Sequence, residues 1–180
     1  MSLRKKFARW VGWEDTLTNL TTGQTAPGFT LKALDGQEYS LGKLLKNGPV
    51  VVAFFKISCP VCQFTFPFIQ RIAERHSVER VSVIGVSQDD VRSTKDFNRE
   101  YQLTFPTLID EDSYPVSNAY GLTNVPTIFL IDSDGMIKVS AMGFDKATLE
   151  KIDAELANDR KTPPAALFRS DEVIPAHRPG

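Results

Sequence analysis

Six apolar residues in a row, Val50-Val51-Val52-Ala53-Phe54-Phe55, constrain this chain more than any other stretch. A strand with one wet face alternates apolar and polar residues. An unbroken β-branched and aromatic run is instead expected of a strand covered on both faces, as in an α/β fold. The run leads into Cys59-Pro60-Val61-Cys62, after which Phe64, Phe68, Ile69, Ile72 and Ala73 recur at helical spacing to about His76. Both cysteines of the chain therefore stand where a buried strand turns into a helix, which is a place for redox chemistry.

The flanking pattern agrees with that setting. Val81 to Val86 reads as the next strand and Val91 to Tyr101 as the next helix, a β-α-β-α alternation that implies parallel strands with right-handed crossovers. Phe105 to Asp110 is a short extended piece, and Tyr114 to Tyr120 a short helix ended by Gly121. Thr127 to Asp132 and Met136 to Ser140 flank Ser133-Asp134-Gly135 as a hairpin, and Lys146 to Asn158 is a final helix with Leu149, Ile152 and Leu156 on one face. Upstream, two short runs around Asp35-Gly36 predict an N-terminal β-hairpin, and Ser40 is placed to cap a single helical turn through Leu45. Pro67 falls inside the helix after the cysteines and predicts a kink, since proline offers no N–H to the carbonyl four residues back.

With 180 residues, 42% of them hydrophobic, the chain fits one domain with a sizeable core. We divide it into a helical extension over 1–20, the domain proper over 21–160 and a proline-rich tail over 161–180. In the extension Leu3, Phe7, Trp10, Val11 and Glu14 keep helical spacing, as for a short helix docked on the surface. The tail holds Pro163, Pro164, Pro175 and Pro179, which excludes helix and central strand; disorder and an extended strap using Leu167, Phe168 and Ile174 both remain open.

A net charge of −1 with the two signs mixed gives no surface for nucleic acid. The N-terminus begins with basic residues, but no apolar run of signal-peptide length follows, and no window approaches a membrane span. A cytoplasmic monomer without membrane contact is the expectation, in a compartment where a Cys-x-x-Cys pair is more often catalytic than bridging. Two cysteines this close also enclose too small a loop to staple a fold.

If the helix starts at the motif, Cys59 is its N-cap and Pro60 its first residue, where a missing N–H costs nothing. The free N–H groups and positive dipole end favour a thiolate on Cys59, the nucleophilic form, and leave Cys62 one turn in as the resolving thiol. Exchange then runs through a mixed disulfide on Cys59, with the Cys59–Cys62 disulfide as the redox carrier and no further cofactor. A disulfide or dithiol, protein or small molecule, is the expected substrate, and a separate reductase or oxidant recycles the pair. Lys56 is a lone charge in the apolar approach; its amine either tunes the thiolate or reaches solvent at the strand end. Zinc would need four ligands, and beyond the two thiols only His76 and His177 are on offer, at unhelpful spacing.

In this order and spacing, the residues resemble the thioredoxin superfamily, and within it the TlpA/ResA-like thiol-disulfide oxidoreductases and their AhpC/TSA relatives. The resemblance rests on Ala26-Pro27-Gly28-Phe29, Leu34-Asp35-Gly36, the strand into Cys59-Pro60-Val61-Cys62, Pro67, and Gly121 through Asp132. It implies a thioredoxin-like α/β fold: a central mixed sheet flanked by helices, with the hairpin as an N-terminal extension. It also implies that Pro126 is a cis-proline facing the thiols, and that Ser58, Pro60, Val125 and Pro126 border the substrate, the Val125 backbone pairing with an extended segment. Pro106 is expected to be trans. Three positions depart from the family pattern: Ser58 replaces a tryptophan, Ala53 a buried aspartate and Thr65 a glutamate, so that no carboxylate is evident to take a proton from Cys62.

Two other functions compete with exchange. A thiol peroxidase would carry Pro-x-x-x-Thr/Ser-x-x-Cys, but counting back gives Val52 and Lys56 from Cys59, and Phe55 and Cys59 from Cys62; neither register fits. A thioredoxin-like binding module with sluggish cysteines is the other, motivated by the missing acids and Ser58.

Overall fold

The computed structural model describes residues 18–163 and 165–180. The helix expected over Leu3 to Glu14 lies outside them. A two-stranded antiparallel hairpin comes first, β1 (Thr30–Lys32) and β2 (Glu38–Ser40), followed by α1 (Leu41–Leu45). Ser40 directly precedes α1, but its side chain makes no capping bond there. The expected cap is thus absent, and the turn is held by its apolar face, with Leu41, Leu44 and Leu45 buried. The hairpin is tied to the main sheet, where the Leu34 N–H donates to the Thr107 carbonyl at 2.9 Å.

The main sheet has five strands: β3 (Val50–Phe55), β4 (Val83–Ser87), β5 (Thr107–Ile109), β6 (Thr127–Ile131) and β7 (Ile137–Met142), in the order β5-β4-β3-β6-β7. The β3, β4 and β5 neighbours are parallel, whereas β6 runs antiparallel to both β3 and β7. This is the mixed sheet of a thioredoxin-like fold. Between the strands run α2 (Pro60–His76), α3 (Val91–Glu100) and α4 (Pro115–Ala119), and α5 (Lys146–Arg160) follows the last long strand. One helix continues across Pro67, the expected site of a kink.

Alternation along β3 explains its composition. Val51, Ala53 and Phe55 face a core shared with α2, α3 and α5, while Val50, Val52 and Phe54 face a second core with α1 and α4. All six are fully buried. A polar residue at any of them would meet apolar side chains with no partner for its hydrogen bonds.

Beyond α5 the tail is a strap. Leu167 and Phe168 are buried in the first core, the Phe168 ring 4.9 Å from Phe68. Arg71 on α2 pairs with Glu172 and donates to the Leu167 carbonyl at 3.3 Å; Arg75 donates to the carbonyls of Ala165 and Ala166 at 3.2 and 2.5 Å. Asp153 on α5 holds both Arg75 (2.8 Å) and the buried His76 (2.9 Å). The strap ends as β9 (His177–Arg178), which pairs antiparallel with β8 (Phe144–Asp145).

Candidate active site

The last residue of β3 is Phe55, and Lys56, Ile57 and Ser58 turn the chain into α2. Cys59 is the N-cap in extended conformation and Pro60 the first helical residue, as its missing N–H allows. Both cysteines are free thiols; Cys59 is half-buried and Cys62 has no exposed surface. The Cys62 N–H donates to the Cys59 sulfur at 3.2 Å, a bond that strengthens as the sulfur gains negative charge. From the opposite side, the Cys59 thiol donates to the Val125 carbonyl at 3.3 Å. The Val125–Pro126 peptide bond is cis, and among the described residues no other cis bond occurs, so Pro106 is trans.

Burial pushes the Cys62 thiol far above its ordinary range. The neighbouring Cys59 sulfur adds to the rise and Asp89 contributes a little more, while a backbone hydrogen bond from Lys56 opposes it. Cys62 is therefore a protonated, dry thiol beside an accessible one. Two thiols differing in this way suit sequential roles in exchange.

Ser58 and Pro60, on either side of Cys59 in the chain, are exposed, whereas Val125 is half-buried and Pro126 buried. Lys56 is half-buried at the strand end. Its Nζ lies 5.6 Å from the centre of the Tyr114 ring, an amine held over an aromatic face rather than at the thiols. His76 closes the far end of α2, fourteen positions beyond Cys62 and hence about 21 Å along the axis. His177 is in β9. Among the described residues no group of three or more His, Cys, Asp or Glu side chains is arranged to hold a metal ion.

One carboxylate does reach the turn before Cys59: that of Asp89, from the loop between β4 and α3. Its Oδ2 accepts the Ile57 N–H at 2.8 Å, fixing the turn before Cys59, and its charge reaches Cys62. Nothing in the sequence singles it out, since the adjacent Asp90 is the one that caps α3.

Residues 22–140 match the model of the AhpC/TSA family. The chain belongs to the AhpC/TSA family. Among curated relatives, the thiol-disulfide oxidoreductase ResA of Geobacillus thermodenitrificans is 32% identical over 122 residues, covering 67% of this chain and 69% of that one. In solved structures, the thioredoxin domain of a thiol-disulfide oxidoreductase from Bacteroides vulgatus superposes with a TM-score of 0.64 at 23% identity, covering 79% of this chain and 97% of that one. Peroxidoxin BcpB from Mycobacterium tuberculosis gives a TM-score of 0.65 at 26% identity, with 78% and 98% covered. One fold is thus shared by a protein named as a thiol-disulfide oxidoreductase and one named as a peroxidoxin. In this AhpC/TSA protein the hydroxyl nearest in sequence after the motif, Thr65, donates to the Val61 carbonyl at 2.6 Å and is committed within the helix.

Proposed function

We propose that this protein exchanges dithiols for disulfides through Cys59 and Cys62, with Cys59 as nucleophile and Cys62 as resolving thiol. The observation that carries the reading is the asymmetry of the pair: a half-buried N-cap sulfur that accepts a backbone N–H, beside a fully buried thiol kept protonated. It is a thioredoxin-type oxidoreductase whose redox carrier is the cysteine pair itself.

In the first step the Cys59 thiolate attacks one sulfur of a substrate disulfide. That S–S bond breaks, a Cys59–substrate bond forms, and the displaced thiolate leaves to take up a proton. Cys62 then gives up its proton and attacks the Cys59 sulfur, closing the Cys59–Cys62 disulfide and releasing the second substrate thiol. Asp89, whose carboxylate holds the turn before Cys59, is the acceptor we assign to that proton. An external dithiol reverses the sequence, so direction depends on the partner's potential. Val125, with Ser58 and Pro60 at the rim, forms the wall past which the substrate sulfur reaches Cys59.

The reduced protein should convert oxidised glutathione to thiol, with the Cys59–Cys62 disulfide appearing in parallel by mass spectrometry. Equal conversion by Cys59→Ser would overturn the assignment. Among the described residues no helix is long and apolar enough to cross a membrane.

A further inference from the structure

The strap does not stop at the core. Its last residues run beside the cysteines: β9 pairs with β8 in the register Phe144↔Arg178 and Asp145↔His177, and the Lys146 N–H donates to the Ala176 carbonyl at 2.9 Å. The Arg178 guanidinium lies 3.7 Å from the centre of the Phe64 ring, two residues after Cys62. Gly180 then packs directly on the loop opposite Cys59. A Cβ added there would stand 2.6 Å from the Val125 carbonyl oxygen and 2.9 Å from Asn124 Nδ2. Gly143, with φ +73°, makes the matching allowance on the sheet side, since a side chain there would collide with the Arg178 carbonyl. One carbonyl, that of Val125, thus has the Cys59 thiol and the Gly180 backbone both against it.

We infer that residues 176–180 are an internal blocking segment, which keeps extended polypeptide disulfides away from the Val125 side of Cys59 while leaving small disulfides free to react. This rests on the exchange activity proposed above. The Cys59 thiol is held against the Val125 carbonyl, so main chain that brings a polypeptide disulfide to this side of the sulfur would need the place where Gly180 already sits. A small disulfide needs only the exposed part of the Cys59 sulfur. The block is built to open. Its root is pinned by Leu167, Phe168, Arg71 and Arg75, but the tip is a two-residue ladder with both residues exposed. Peeling β9 from β8 therefore frees the Val125 side without disturbing the core.

The test compares oxidised glutathione with insulin as substrates of the full chain and of Arg178→Pro, which removes both the guanidinium and the ladder N–H at an exposed position. The expected result is a rise of about tenfold in kcat/KM for insulin, with glutathione unchanged within about twofold, as when a minor open state becomes dominant. An unchanged insulin rate overturns the inference, and so does a loss on both substrates, which would make the strap a support for the thiols. A second readout uses Cys62→Ser protein trapped as a mixed disulfide with glutathione or with a twelve-residue cysteine peptide. Hydrogen exchange at Lys146, whose N–H donates to the Ala176 carbonyl, should be slower in the first adduct than in the second; equal protection in both overturns the block. If neither adduct forms, the exchange reading itself fails and the inference falls with it, an outcome distinct from adducts that form with the strap closed.

Discussion

Cys59 and Val125 are joined across the site by a thiol-to-carbonyl hydrogen bond of 3.3 Å, so the attacking sulfur of one element is held against the backbone of another. Four consequences of the surrounding geometry are open to measurement.

Iodoacetamide should distinguish the two thiols. Cys59 is partly accessible and accepts an N–H, whereas Cys62 is fully buried and kept protonated, so alkylation of the native reduced protein is expected at Cys59 at least about tenfold faster. Peptide mapping after a timed quench reads this out, and comparable rates would contradict the assigned roles.

The raised Cys62 thiol predicts an alkaline limit on the reduced protein. A folded-state pKa above the unfolded one favours the fold below the unfolded value of about 8.5, and that contribution is lost as pH rises, because the unfolded chain ionises while the folded one keeps its proton. Urea midpoints should therefore fall above about pH 8.5, by no more than about 1.4 kcal/mol per pH unit for one proton. The slope should be absent in Cys62→Ala; the window is best read below the ionisation of unfolded tyrosines, since buried Tyr120 is shifted the same way.

Asp89 is expected to matter for rate more than for stability. Asp89→Ala leaves the Ile57 N–H without its acceptor and should cost about 1–2 kcal/mol in folding, with slower closure of the Cys59–Cys62 disulfide. Asp89→Asn offers an oxygen to the same N–H and should recover most of the stability while leaving closure slow. Full recovery of both by asparagine would assign Asp89 to positioning alone.

Phe168→Ala tests whether the strap belongs to the folding unit. The ring is buried against Phe68 and Phe144, with the Lys146 amine over its face, so its loss should cost about 3 kcal/mol. A change below about 0.5 kcal/mol in a denaturation midpoint would mean that the tail is dispensable to the core.

The sheet was legible because burial leaves a periodic trace. β3 is apolar at every position since alternate residues serve two cores, and the N1 proline at residue 60 marks the start of α2. The Val125–Pro126 wall came from family resemblance, not from any local pattern. Asp89 escaped notice because it sits in a polar turn next to another aspartate with an obvious capping role; its bond to Ile57 spans 32 residues. The strap left both disorder and docking open for a similar reason. Two apolar residues among prolines have no period, and two-residue strands such as β8 and β9 are too short to show alternation. The approach of Lys56 to Tyr114 is likewise a long-range pairing.

The clamp on the strap also shapes how this chain can drift over generations. Arg71 and Arg75 grip Leu167, Ala165 and Ala166 by their carbonyl oxygens, which every amino acid carries. Replacements at 165 and 166 therefore leave the grip untouched, and heritable variation there is cheap, whereas the two arginines and the Leu167–Phe168 pair tolerate little. Homologous tails should look unrelated residue by residue yet keep two apolar positions at a fixed distance from α5, opposite a pair of arginines one turn apart.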